Sequence, residues 1–191
     1  AIPQALAPIQ SEITSKDTLK KAQSAFIDLA LLKYDLEDLP SSLIEESLDT
    51  AGAGFLHYSA AFLEFSLFKE LSHRLGELAF KAEDAAGNTP LHFAAQEGKY
   101  EIAEWILKAK PELVDSTNHQ GITPLIFAIQ KGHLELVKLF ITFKANANHE
   151  LPNGLFPLYL ALEAKQEAIT SWLIENVVGL DLSKHLDSKM T

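Results

Sequence analysis

Two stretches of this chain repeat one another at a fixed distance. Asp84 to Leu107 reads DAAGNTPLHFAAQEGKYEIAEWIL and Asn118 to Ile141 reads NHQGITPLIFAIQKGHLELVKLFI, so Gly87 and Gly98 are answered by Gly121 and Gly132 at an offset of 34. A third copy, LPNGLFPLYLALEAKQEAITSWLI from Leu151 to Ile174, follows 33 residues later and keeps Gly154, Pro157, Leu158 and Ala161, with Lys165 in place of the second glycine. A worn copy precedes them at an offset of 35, where Asp49, Gly52, Leu56, His57, Tyr58 and Ala60 match Asp84, Gly87, Leu91, His92, Phe93 and Ala95. A period of this size means one supersecondary unit used repeatedly, with a core made by stacking neighbours.

The chemistry of the unit can be read residue by residue. Gly87 and Gly121 permit the positive φ of a tight turn. Pro90 and Pro124 suit the first turn of a helix, where the missing N–H would be unpaired anyway. A short helix is predicted over about Pro90 to Gln96, rich in small residues that let neighbours stack closely, and Gly98 and Gly132 stop it and its successor. A second helix is predicted over about Tyr100 to Lys108. It has Ile102, Ala103, Trp105, Ile106 and Leu107 as its buried residues and Glu101, Glu104 and Lys108 facing water; Leu134 to Phe140 repeats the pattern. Lys165 is expected in a left-handed conformation, because it replaces a helix-ending glycine.

Thr89-Pro90-Leu91-His92-Phe93-Ala94 carries the T-P-L-H-x-A signature, and on these residues the chain resembles the ankyrin-repeat family. The match is strong over 84–150 and extends in weaker form to about 49–182. The resemblance implies an all-α solenoid of about four helix-turn-helix repeats. It also implies that Thr89 and His92 bond one another and neighbouring backbone, and that His133 has a structural place at the start of a second helix. The expected organisation is an N-terminal helical cap at 1–48, a degenerate repeat at 49–83, repeats at 84–117 and 118–150, a degenerate repeat at 151–182 and a polar tail at 183–191. In the cap, Leu19, Ala22, Phe26 and Leu29 fall at helical spacing and Ser42 with Glu45 fits a capping box.

Composition narrows function by exclusion. The chain has 26 acidic against 16 basic side chains, with Arg74 its one arginine, and no segment is basic. Nucleic-acid binding, which rests on cations displacing counterions, is not expected; a partner with a basic surface suits this field better. There is no cysteine, no H-E-x-x-H pair and no phosphate-binding glycine loop. The clusters Asp35, Glu37, Asp38 and Glu45, Glu46, Asp49 read as solvated faces, and Phe55, Phe62, Phe65 and Phe68 read as core. No catalytic residue, cofactor or metal is expected, and the protein is expected to be a cytoplasmic monomer that does not insert into membranes. Two further readings come from the composition. Position 1 is alanine rather than methionine, which fits the recognition arm of a longer enzyme; lysine far outnumbers arginine, which resembles ankyrin proteins that intracellular bacteria deliver into host cells to act in the host cytosol.

The family resemblance implies a protein-protein interaction module or adaptor, with contacts at the turn tips and at the ends of the first helices. In this sequence those positions are Ala85, Ala86, Asn88, Gln96 and Glu97, then His119, Gln120, Ile122, Gln130 and Lys131, then Pro152, Asn153, Leu155, Glu163 and Ala164. Ile122 and Leu155 are expected as exposed apolar anchors among polar neighbours.

Overall fold

The computed structural model describes residues 55–177, 179 and 180. Over these residues the chain forms eight α-helices in four pairs and no strand. The pairs are α1 (Phe55–Phe62) with α2 (Phe65–Leu75), α3 (Pro90–Gln96) with α4 (Tyr100–Ala109), α5 (Pro124–Lys131) with α6 (Leu134–Thr142), and α7 (Pro157–Glu163) with α8 (Glu167–Asn176). Short 3-10 turns, Glu77–Lys81 and Pro111–Asp115, follow α2 and α4. The proposed cap at 1–48 and tail at 183–191 lie outside the described residues.

The first helices α3 and α5 start where the sequence placed them. Proline opens α3, α5 and α7. Thr89 and His92 form a reciprocal capping box at α3, and the Thr123 side chain accepts from the Ile126 N–H at α5. Phe156 takes this place at α7, where no side chain caps the helix. The second helices α4 and α6 begin two residues after Gly98 and Gly132, both at positive φ.

The helices stack in two parallel rows. First helices pack as α1 on α3, α3 on α5 and α5 on α7, and second helices follow as α2 on α4, α4 on α6 and α6 on α8. This is an all-α ankyrin solenoid. Ala94, Ala95, Ala128 and Ala161 are buried between the first helices, and their small side chains allow the close approach. Leu91, Leu125 and Leu158 from the first row meet Ile102, Ile106, Leu136, Phe140, Ile169 and Leu173 from the second in one continuous core. Of the predicted aromatic series, Phe68 is fully buried and Phe65 half-buried; the side chains of Phe55 and Phe62 lie outside those described.

Stacking extends to the turns. A Cβ at Gly87 would lie 2.7 Å from the His119 ring, and one at Gly121 would lie 2.8 Å from the Pro152 ring, so each turn glycine makes room for the next turn. Both also sit at positive φ.

Among the described residues two other than glycine also take positive φ, Lys144 at 70° and Lys165 at 55°, and both are exposed. The left-handed region costs a residue with a Cβ about 1 to 2 kcal/mol, partly offset by the greater freedom glycine has when unfolded. Lys144→Gly and Lys165→Gly should therefore each stabilise by up to about 1 kcal/mol, additively in the double variant. Urea denaturation monitored by circular dichroism checks this; an unchanged or lower midpoint would refute it.

Candidate functional site

The turns that precede α3 and α5 are built from their own leading polar residue. Asp84 Oδ1 accepts from the backbone N–H of Ala86 at 2.9 Å and of Asn88 at 2.7 Å. Asn118 Oδ1 repeats this with Gln120 and Ile122, each at 3.0 Å. In the last copy Leu151 stands at that place, and Asn153 Oδ1 accepts from the Leu155 N–H at 3.1 Å instead. A short backbone hairpin closes each turn, with Asp84 paired to Asn88, Asn118 to Ile122 and Leu151 to Leu155.

Successive units are tied by polar links between them. The His119 N–H donates to the Ala86 carbonyl at 2.9 Å, and Asn118 Nδ2 donates to Asn88 Oδ1 at 2.9 Å. His57 Nε2 lies 3.0 Å from the Asn88 carbonyl, and His92 Nε2 lies 3.1 Å from the Ile122 carbonyl one repeat further on. His133 Nε2 reaches the Gln96 carbonyl at 3.1 Å, and His149 Nε2 reaches the Gly121 carbonyl at 2.8 Å. On the opposite side Trp105 Nε1 donates to Ser72 Oγ at 3.0 Å, with Lys69 Nζ 4.8 Å from the indole centre. Histidine here is a strut between repeats. Among the described residues no group of three His, Asp or Glu side chains could hold a metal ion.

His92 shows what the strut requires. Its Nδ1 accepts from the Thr89 backbone N–H at 3.0 Å and lies 2.9 Å from Thr89 Oγ1, so Nδ1 is unprotonated and Nε2 carries the proton given to Ile122. Desolvation by burial holds its pKa down at about 4, against the opposing pull of the Ile122 carbonyl.

The implied contact positions separate into two groups. Ala85, Ala86, His119, Gln120, Pro152 and Asn153 are exposed along the row of turn tips, and Gln130, Lys131, Glu163 and Ala164 are exposed at the ends of α5 and α7. Gln96 and Glu97 at the end of α3 are half-buried and joined by a side-chain hydrogen bond of 3.2 Å. The other group works for the scaffold. Asn88 bonds both Asp84 and Asn118. Ile122 and Leu155 are not exposed anchors: both are half-buried and pack against the core, because the hairpin turns their side chains inward beside the first helix. Phe93 and Phe127 were not among the expected contacts, yet both are half-buried in the first-helix row. Their signal was recurrence at the same register, which reads equally as core.

Residues 91–141 match the family model of ankyrin repeats (many copies). Over these residues the chain carries ankyrin repeats, which serve generally as protein-protein interaction modules and are typically non-catalytic. No curated protein matches the chain. No helix among the described residues is long and apolar enough to cross a membrane.

The state of His92 sets a pH dependence. Its folded pKa is lowered, so the stabilisation is complete above the unfolded value of 6.5 and is lost as pH falls from there toward about 4; the full span is worth roughly 3 kcal/mol. His92→Ala should cost about 1 to 3 kcal/mol near pH 7 by leaving the Thr89 N–H and the Ile122 carbonyl unpaired. The same variant should lose less stability than the parent between about pH 7 and pH 5. Denaturant titrations at the two pH values check both; parallel losses would show that another group carries the dependence.

Proposed function

We propose that this chain is a non-catalytic module that holds a partner protein across its turn tips and the ends of its first helices. Repeats at 49–83, 84–117, 118–150 and 151–182 would together supply the platform. The observation that carries the reading is the exposed row Ala85, Ala86, His119, Gln120, Pro152 and Asn153, held at a fixed repeat spacing by bonds made beneath it. Such a row presents side chains of varied character on a backbone that its neighbours have already ordered, so little conformational entropy is lost on binding. The excess of acidic side chains favours a partner whose contacting surface is basic.

Three positive charges on the tips should oppose such a partner without disturbing the fold. A partner captured from lysate and purified should bind the triple variant Ala85→Arg, Ala86→Arg and Gln120→Arg at least about 30-fold more weakly, roughly 2 kcal/mol, with unchanged melting. The control, Glu101→Arg with Glu135→Arg, alters net charge more but lies on the second helices, and it should leave the dissociation constant within about threefold. Isothermal titration calorimetry reads both. The opposite pattern would put the interface on the second-helix side.

A further inference from the structure

Of the asparagines in this chain, only Asn153 is followed by glycine. The pair sits in the turn that precedes α7, with Asn153 exposed and Gly154 at φ 79° in open space, since a Cβ there would meet nothing within 4 Å. The others are held differently. Asn88 and Asn118 are bonded to one another, and the side chains of Asn148 and Asn176 donate to the carbonyls of Gly179 and Trp172. Asn146 is the nearest match, being exposed, with its Oδ1 accepting from the Asn148 N–H at 3.0 Å as Asn153 Oδ1 accepts from the Leu155 N–H at 3.1 Å. The two differ in restraint. The Asn146 N–H donates to Asp115 Oδ1 at 2.9 Å, its carbonyl accepts from the His149 N–H at 3.2 Å, and the Ala147 that follows is buried. Among the described residues Asn153 makes no hydrogen bond through its own backbone, and the Gly154 that follows is not buried.

We propose that Asn153 is a self-modification site, at which the backbone nitrogen of Gly154 converts the side-chain amide to an acid. The Gly154 nitrogen attacks Asn153 Cγ; the N–Cγ bond forms, the Cγ–Nδ2 bond breaks, and the amide leaves as ammonia with the proton the nitrogen gave up. A five-membered imide remains. Water then opens it at Cγ to give aspartate, or at the backbone carbonyl to give isoaspartate, so one water is consumed and one ammonia released. Three features favour the attack. Nucleophile and amide belong to adjacent residues, glycine puts no Cβ beside the attacking nitrogen, and the Leu155 N–H already points at Oδ1, where negative charge grows. Ring closure turns Asn153 about its own ψ, which no backbone bond of that residue resists. One feature opposes it: the Gly154 N–H donates to the Leu151 carbonyl at 2.8 Å, a bond whose opening slows the step by roughly tenfold at most. Either product puts a carboxylate on a tip that was neutral, and isoaspartate also lengthens the backbone within the Leu151 to Leu155 hairpin by one methylene. The modification stands whether or not this tip touches a partner.

The full chain, held in mildly alkaline buffer at physiological temperature, would be sampled over time, digested at acidic pH and mapped by mass spectrometry. Asn153 should gain the mass of amide-to-acid conversion at least about tenfold faster than Asn146, which serves as the reference within the same molecule. In water enriched in heavy oxygen the product should carry one heavy atom, from the opening of the imide. Asn153→Gln, which sets the amide one methylene further from the Gly154 nitrogen, should remove the fast site, and Gly154→Ala should slow it by at least about tenfold. Circular dichroism checks that both variants fold; the comparison of Asn153 with Asn146 in the parent chain decides the matter without them. Rates at the two asparagines within about threefold of each other, or an Asn153 that stays an amide throughout, would overturn the proposal.

Discussion

A helix of seven residues such as α3 or α7 does not persist alone in water, because fixing its first turn costs more than its few hydrogen bonds return. Each first helix among the described residues is seven or eight residues long. Their existence therefore depends on contact between neighbours. Each buried leucine or isoleucine in the shared core contributes roughly 1.5 to 3 kcal/mol, and most of that arises only when two repeats meet. The alanines of the first row and the turn glycines are small for the same reason. A larger side chain at Gly87 would meet His119 and separate the very surfaces whose contact stabilises both helices.

Apolar contact alone would tolerate some sliding of one repeat on the next, and the polar links limit it. His92 satisfies Thr89 within its own repeat and Ile122 in the following one, and both bonds are made at the same time in only one register. The histidine is buried, so a misplaced neighbour would strand a donor in a medium without water. At the next interface Ile126 stands in the histidine's place and is fully buried. There the Leu155 carbonyl bonds within its own hairpin to the Leu151 N–H, and alignment rests on Gly121 against Pro152 and on His149 reaching the Gly121 carbonyl. One interface is aligned by a hydrogen-bonded imidazole, the other by shape and a borrowed histidine from the loop.

The helix pairs were legible in the sequence because their signals are local. Pro90, Pro124 and Pro157 mark starts, Gly98 and Gly132 mark stops, and the left-handed backbone at Lys165 follows from its register with those glycines. Lys144 takes the same conformation without a glycine counterpart among the copies, so nothing in the repeat pointed to it. The exposure of the positions proposed for contact was legible in part. Tip positions such as Ala86 and Gln120 could be placed by counting alone, since a turn tip projects whatever residue it carries. The inward lean of Ile122 and Leu155 could not, because it depends on how each hairpin lies against its first helix.

That lean bears on how such a surface can change without the fold changing. Asn88, Ile122 and Leu155 occupy equivalent places, and each is committed: the first to Asp84 and Asn118, the other two to the core. A substitution there alters stability and surface together. At the tips the scaffold uses the backbone instead, as where the Ala86 carbonyl accepts from the His119 N–H and Asp84 Oδ1 accepts from the Ala86 N–H. Any side chain compatible with an exposed turn can stand at Ala86 or Gln120 while those bonds persist. Freedom to vary therefore belongs to positions where the backbone does the structural work, and a change of side chain there comes at small cost to the core.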